Sequence, residues 1–159
     1  MTGADSCIDA AKQVWNEAEL VCLVLDVQGL KLAVPVAFLG IVKAVEIDDL
    51  IPPLNAEHGV MGEVGILGQT FIAVDTADIV MPGKANPAAR KQYRHLVALR
   101  YVPWALVVSH VIGAVRLAKE DVHWRSGQTQ RPWLAGTMTS QMTAILDPFA
   151  FVGCIGGGQ

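Results

Sequence analysis

Two carboxylates carry the clearest chemical potential in this chain. Asp75 closes an apolar run in Val74-Asp75-Thr76-Ala77, and Asp147 closes another in Leu146-Asp147-Pro148. Aspartates at matching places of a duplicated fold can share one proton and activate water, as an aspartic-type hydrolase does. That chemistry needs a glycine after Asp-Thr so that the loop can bend, and a Thr to support the second carboxylate. Ala77 and Pro148 stand there instead. The simpler expectation is that each Asp caps a short turn or helix after its strand, accepting from amides at its start. Hydrolysis through Asp75 is kept as a remote alternative.

Other reactive residues form no constellation. His58, His95, His110 and His123 are scattered without i,i+4 pairing, and Cys7, Cys22 and Cys154 fit no zinc or redox spacing. Gly65-Ile66-Leu67-Gly68 lacks the following helix and lysine of a phosphate loop, and no serine sits in a nucleophile elbow. We therefore expect no catalytic, cofactor or metal-binding residues. Cys22 lies in a strand-like run and reads as a small core residue. Trp104 and Trp133 read as core or inter-barrel contacts.

The elements that position these residues follow from composition and pattern. Of 159 residues, 52% are apolar and only 17% charged, with a net charge of −3. The chain can bury one large core, and it lacks the basic face of a nucleic-acid binder. Its most apolar window, Leu30 to Val45, is broken by Lys31, Pro35, Gly40 and Lys43. A spanning helix needs roughly 20 apolar residues in a row. The N-terminus shows no basic start or apolar core of a signal peptide, so a reducing, cytoplasmic home is expected.

Residues 1–18 are polar with a possible short helix over Ile8 to Ala18. Strand patterns follow over Leu20 to Val27, Leu30 to Val34 and Ile41 to Ile47, with a turn at Gln28-Gly29 and a stop at Pro35. Asp48 to Gly59 is a loop. A hairpin over Gly62 to Asp75 turns at Gly68-Gln69. Residues 81–89 form a linker, and the basic run Arg90 to His95 reads as a solvated connection. Strands are then expected over Arg94 to Tyr101, Pro103 to Val108 and Ala114 to Leu117, a polar loop to Gln130, and a second hairpin over Leu134 to Asp147. The glycine-rich tail should be flexible.

The halves echo each other. Leu20-Val21-Cys22-Leu23 aligns with Leu96-Val97-Ala98-Leu99, Gly40-Ile41-Val42-Lys43 with Gly113-Ala114-Val115-Arg116, and Asp75 with Asp147. The spacing shortens steadily along the chain, as a duplicated unit with shorter loops in its second copy would give. The expected fold is all-β: two pseudo-duplicated five-stranded β-barrels. The first covers about 19–80 and the second about 90–152, with a tail over 153–159.

Several motifs in this order resemble the CheW-like domain over roughly Glu19 to Val152. They are Ala33-Val34-Pro35-Val36, Gly62 to Gly68 continuing to Val74-Asp75, Val107 to Gly113, and Leu134-Ala135-Gly136 continuing to Leu146-Asp147. The resemblance implies a non-catalytic cytoplasmic adaptor. It would couple chemoreceptor tips to the regulatory domain of a CheA-type histidine kinase, in chemotaxis or, by analogy alone, in a system controlling type IV pili. Self-association in array rings and recruitment to the membrane by receptors belong to the same expectation. Carried over by position, the partner-binding candidates are Val36, Leu39, Ile41, Val42, Gly62, Leu67 and Val111. For Val36, Val42 and Val111 the competing reading is barrel core; Leu67 sits at an exposed turn. Departures from the family pattern fall at Gly65, Leu67, Ile41, Ser109 and His110, each removing a polar or charged group. The alternative is a CheW-like interaction module with a different signalling partner, its groove gaining affinity from buried area.

Overall fold

The structure, a computed structural model, describes residues 12–52, 59–126 and 131–155. Strands β1 (Glu19–Val27) and β2 (Leu30–Pro35) form a hairpin whose turn, Gln28-Gly29, takes positive φ at both residues. A two-residue turn of that kind matches the twist of its strands. Pro35 ends β2, and a 3-10 turn (Val36–Phe38) leads into β3 (Leu39–Ala44). Then come β4 (Val60–Ile66), β5 (Gln69–Asp75) and helix α1 (Thr76–Val80). The second half supplies β6 (His95–Leu99), β7 (Trp104–Val108), β8 (His110–Ala118), β9 (His123–Trp124), β10 (Leu134–Met138), β11 (Thr143–Leu146) and helix α2 (Pro148–Val152).

The strands make two sheets, a six-stranded one in the order β8-β1-β2-β11-β10-β9 and a five-stranded one in the order β3-β6-β7-β5-β4. The chain is all-β in two subdomains, as expected, but strand pairing closes neither sheet into a full barrel. Each gap is spanned by a short strap instead. After β3 the chain makes a 3-10 turn (Ile47–Asp49), and Ile51 then exchanges two 2.8 Å backbone hydrogen bonds with Glu63 of β4. After β8 it makes a 3-10 turn (Lys119–Asp121), and β9 pairs with β10. A glycine lies under each strap. A Cβ on Gly62 would collide with the Ile51 carbonyl oxygen, and one on Gly136 would stand 2.9 Å from that of His123.

The duplication survives in a form different from one barrel per half. Setting β9 aside, the first two strands of each half lie between the third and fifth strands of the other. Parallel pairs, β2 with β11 and β5 with β7, seal the exchange. The division at residues 81–89 is therefore a division of the sequence, not of the sheets. The physical reason is burial on two sides. Leu96, Ala98, Ala105 and Val107 point into the five-stranded sheet's own core, while Val97, Leu99, Leu106 and Val108 point into a core shared between the sheets. Strands buried on both faces read as continuous apolar runs, and such strands belong in the middle of a sheet. The interior of the six-stranded sheet is the third core, built on Leu20, Cys22, Ala33, Leu117 and Ile145.

Smaller expectations shift. The third strand ends at Ala44 rather than Ile47, and β8 is longer than Ala114 to Leu117. Within the expected N-terminal helix, residues 13–16 form a 3-10 turn, with the Trp15 ring tilted against Phe38 at 5.5 Å and edge-on to Trp124 at 5.9 Å. Ile155, expected in the loose tail, is buried in the shared core. Residues 1–11, 53–58, 127–130 and 156–159, with Cys7, His58 and the three tail glycines, lie outside the described residues. Cys22 is fully buried, which pushes its thiol pKa up to about 12.

Candidate functional site

The β4–β5 turn is the most conspicuous exposed feature. Its central residues are Leu67 (φ 50°) and Gly68 (φ 81°), one position earlier than the sequence suggested, with Ile66 and Gln69 as the last strand pair. Leucine in a left-handed conformation costs about 1 kcal/mol. This one offsets nothing by burial, since Leu67 is 89% exposed.

The other candidates separate by exposure. Val36 and Val42 are about two-fifths exposed, so neither is barrel core. Ile41 and Val111 are half-buried against the five-stranded and shared cores respectively. Leu39 and Gly62 are buried. What the seven share is position. Val36, Leu39, Ile41 and Val42 lie on or just before β3, Gly62 and Leu67 on or just after β4, and Val111 on β8. All three strands are terminal in their sheets' pairing order, although Ile51 already pairs with Glu63 along the outer side of β4. No hydrogen-bonded pairing joins these three strands to one another.

Near Val111 the departures from the family pattern have local roles. Ser109 Oγ accepts from the Gln28 amide at 2.9 Å, and His110 Nε2 stands 3.9 Å from Asp26 Oδ2. His95 Nδ1 accepts from the Val111 amide at 3.2 Å and links β6 to β8.

Asp75 lies at the centre of a polar hub absent from the sequence reading. It caps α1 by accepting from the Ala77 amide at 3.1 Å. It also accepts from Arg90 Nε at 2.7 Å and from the Tyr93 hydroxyl at 2.6 Å. Gln28 Nε2 donates to the same hydroxyl at 2.7 Å, and Gln28 Oε1 accepts from the Asn86 amide at 2.8 Å. The hub thus ties the β1–β2 turn of one sheet to the end of β5 in the other. Burial and the neighbouring carboxylate both push the Tyr93 phenol pKa up. Arg90 and Tyr93 come from the run expected to be a solvated connection. A buried acid needing a cation was the signal that could have found them.

Asp147 has a plainer setting. It accepts from the Phe149 and Ala150 amides at 3.1 and 3.3 Å, capping α2, and burial raises its pKa. Capping accounts for both aspartates, as expected. Asp75 has its oxygens engaged by Arg90, Tyr93 and Ala77, an arrangement for holding structure rather than activating water. A residue the sequence reading passed over is Met142, 85% exposed and also left-handed (φ 50°), in the β10–β11 connection. Like Leu67, it stands at the end of a strand-to-strand connection with its side chain in solvent.

No family model matches the chain, and no curated protein matches its sequence. Solved structures do match. The scaffolding protein TtCheW from Thermoanaerobacter tengcongensis superposes with a TM-score of 0.66 at 11% identity, covering 80% of this chain and 88% of its own. The fold is CheW-like. At that identity the likeness concerns the fold and not side-chain detail. Among the described residues, no helix is long and apolar enough to cross a membrane.

Proposed function

We propose that this chain is a non-catalytic adaptor that couples chemoreceptor cytoplasmic tips to the regulatory domain of a CheA-type histidine kinase. The observation that carries the reading is the CheW-like fold, shared with a scaffolding protein over most of both chains. In this reading Val36, Val42 and Leu67 touch partners directly. Ile41 and Val111 contribute their half-exposed faces, while Leu39 and Gly62 hold β3 and β4 in shape. The protein works in the cytoplasm, reaches the membrane only through receptors, and self-associates within array rings.

A second reading keeps the adaptor role and changes the partner. It is favoured by Leu67, Ser109 and His110, which stand where the family pattern has charged or polar groups. Affinity then comes from burying apolar surface rather than from paired charge.

Titration calorimetry with the cognate kinase regulatory domain and receptor tip tests the first reading. Binding is expected, weakened at least about tenfold by Leu67→Asp, a size usual for a central interface residue. Circular dichroism should show the fold unchanged. Absence of binding to either partner retires the first reading. Co-purified proteins lost on Leu67→Asp, identified by mass spectrometry, would then support the second.

A further inference from the structure

A cavity of about 630 Å³ opens at one end of the six-stranded sheet, between β8 and the β10–β11 connection. Its walls follow from strand parity, since alternate side chains of a strand share one face. Val24 and Val115 line it, half-buried against the interior core of this sheet. Gly113 pairs with Val24, so the side chain it lacks would face the same interior, and a Cβ there would meet no atom within 4 Å. The glycine thus leaves open space in an otherwise apolar wall. Ile112 and Met142, 49% and 85% exposed, form the lip.

The polar side of the cavity is the second observation. Lys31 is the single charged residue lining it. It lies two positions before Ala33 of the interior core, and therefore on the same face of β2. Among the described residues its ammonium has no ion pair. The acid opposite it on β1 is Asp26, whose oxygens are directed elsewhere: one accepts from the Gly29 amide at 2.9 Å and the other faces His110 at 3.9 Å. Ser140 adds a hydroxyl at the rim. A cation and a hydroxyl above an apolar recess match a negative head on an apolar tail. The volume is that of a small-molecule site, about 300–1,000 Å³, and the mouths of barrel-like sheets are common places for one.

We infer that this cavity binds a small monocarboxylate with a short apolar tail. The carboxylate meets Lys31 and the Ser140 hydroxyl at the rim. The tail enters past Ile112 into the space beside Gly113, between Val24 and Val115. None of the seven partner candidates lines the cavity, and the site does not depend on the adaptor reading.

The test titrates the full chain with hexanoate, hexanol and hexylamine, which share one tail and differ in the head, and follows the backbone amide resonances. Hexanoate should bind saturably and shift residues 31, 112–115 and 140–143. Hexanol should bind at least about tenfold more weakly, since it lacks the charge-assisted contact, and hexylamine weaker still. Hexanoate affinity should fall as salt rises. Lys31→Met keeps the apolar stem of an exposed side chain and removes its charge. It should bring hexanoate down to the level of hexanol with the circular dichroism unchanged. Val24→Phe fills the recess and, once thermal melting shows it folded, should abolish binding of both. The inference is overturned if hexanoate shows no saturation by about 10 mM. Equal binding of hexylamine, unchanged affinity in Lys31→Met, or shifts centred outside the cavity each overturn it as well.

Discussion

Asp75 and Asp147 occupy equivalent places in the two halves, each ending a strand and capping a five-residue helix. Yet they live in different electrostatic worlds. Asp75 is 1% exposed and holds Arg90 and Tyr93 by hydrogen bonds, whereas Asp147 accepts from helix amides, with burial outweighing those bonds and the more distant charge of Lys12. The residues that follow differ in the same sense. Pro148 needs no donor at the first helical position, while Thr76 buries a hydroxyl with no hydrogen-bond partner among the described residues. The lesson is that a cap fixes the turn, and what surrounds it decides how much else hangs on it. The first copy became a junction between sheets; the second stayed local.

That contrast breaks most visibly on truncation. Asp75→Ala should cost about 3 kcal/mol, because it strands a buried phenol and a partly buried guanidinium. Asp147→Ala should cost about 1 kcal/mol, the usual loss of a cap. Urea unfolding of both variants measures the gap, and equal losses would reduce Asp75 to a cap as well.

The paired glycines give a sharper version at the straps. Gly62→Ala drives a methyl into the Ile51 carbonyl from a φ of 151°, while Gly136→Ala meets His123 oxygen and a movable Val122 methyl, both at 2.9 Å. Overpacking of this kind costs about 1–3 kcal/mol. The Gly62 variant should lie at the upper end and the Gly136 variant at the lower, read from thermal melts.

The smallest effect is in pH dependence. The folded pKa of Asp147 is raised above 3.8, so the native state binds the proton more tightly than the unfolded chain. The associated stability is full below the unfolded pKa and fades as pH rises through the folded one. Asp147→Asn keeps a capping oxygen and removes this titration. Its stability relative to the parent should therefore grow as pH rises from about 4 toward neutrality. Near Asp75 the raised group is Tyr93, so the corresponding loss begins only in the alkaline range above 10.0. A relative stability flat between acid and neutral pH would remove the distinction at Asp147.

Most strands were legible because alternation, Pro35 and the turn glycines are local signals. Both capping aspartates were legible for the same reason. The exchange of strands was not, since parallel partners such as β2 and β11 lie more than a hundred residues apart and leave no mark on either segment. The turn at Leu67 was misplaced by one because a leucine rarely takes a left-handed conformation. Of the candidate site, Leu67, Val36 and Val42 emerged exposed, whereas burial of Leu39 and Gly62 depends on the strap and the shared core. Arg90 and Tyr93 were hidden in a basic run whose pattern resembles solvated surface. Only the position of Asp75 reveals what they answer.

The interleaving of the halves has a further consequence during synthesis. β1 and β2 leave the ribosome early, but the strands that flank them in the finished sheet, β8 and β11, come from the second half. Neither sheet can be completed from the first half of the chain alone. A nascent chain must therefore carry open edges and apolar strand faces until its last strand has been made, and such long-range pairing is slow to form and exposed to aggregation.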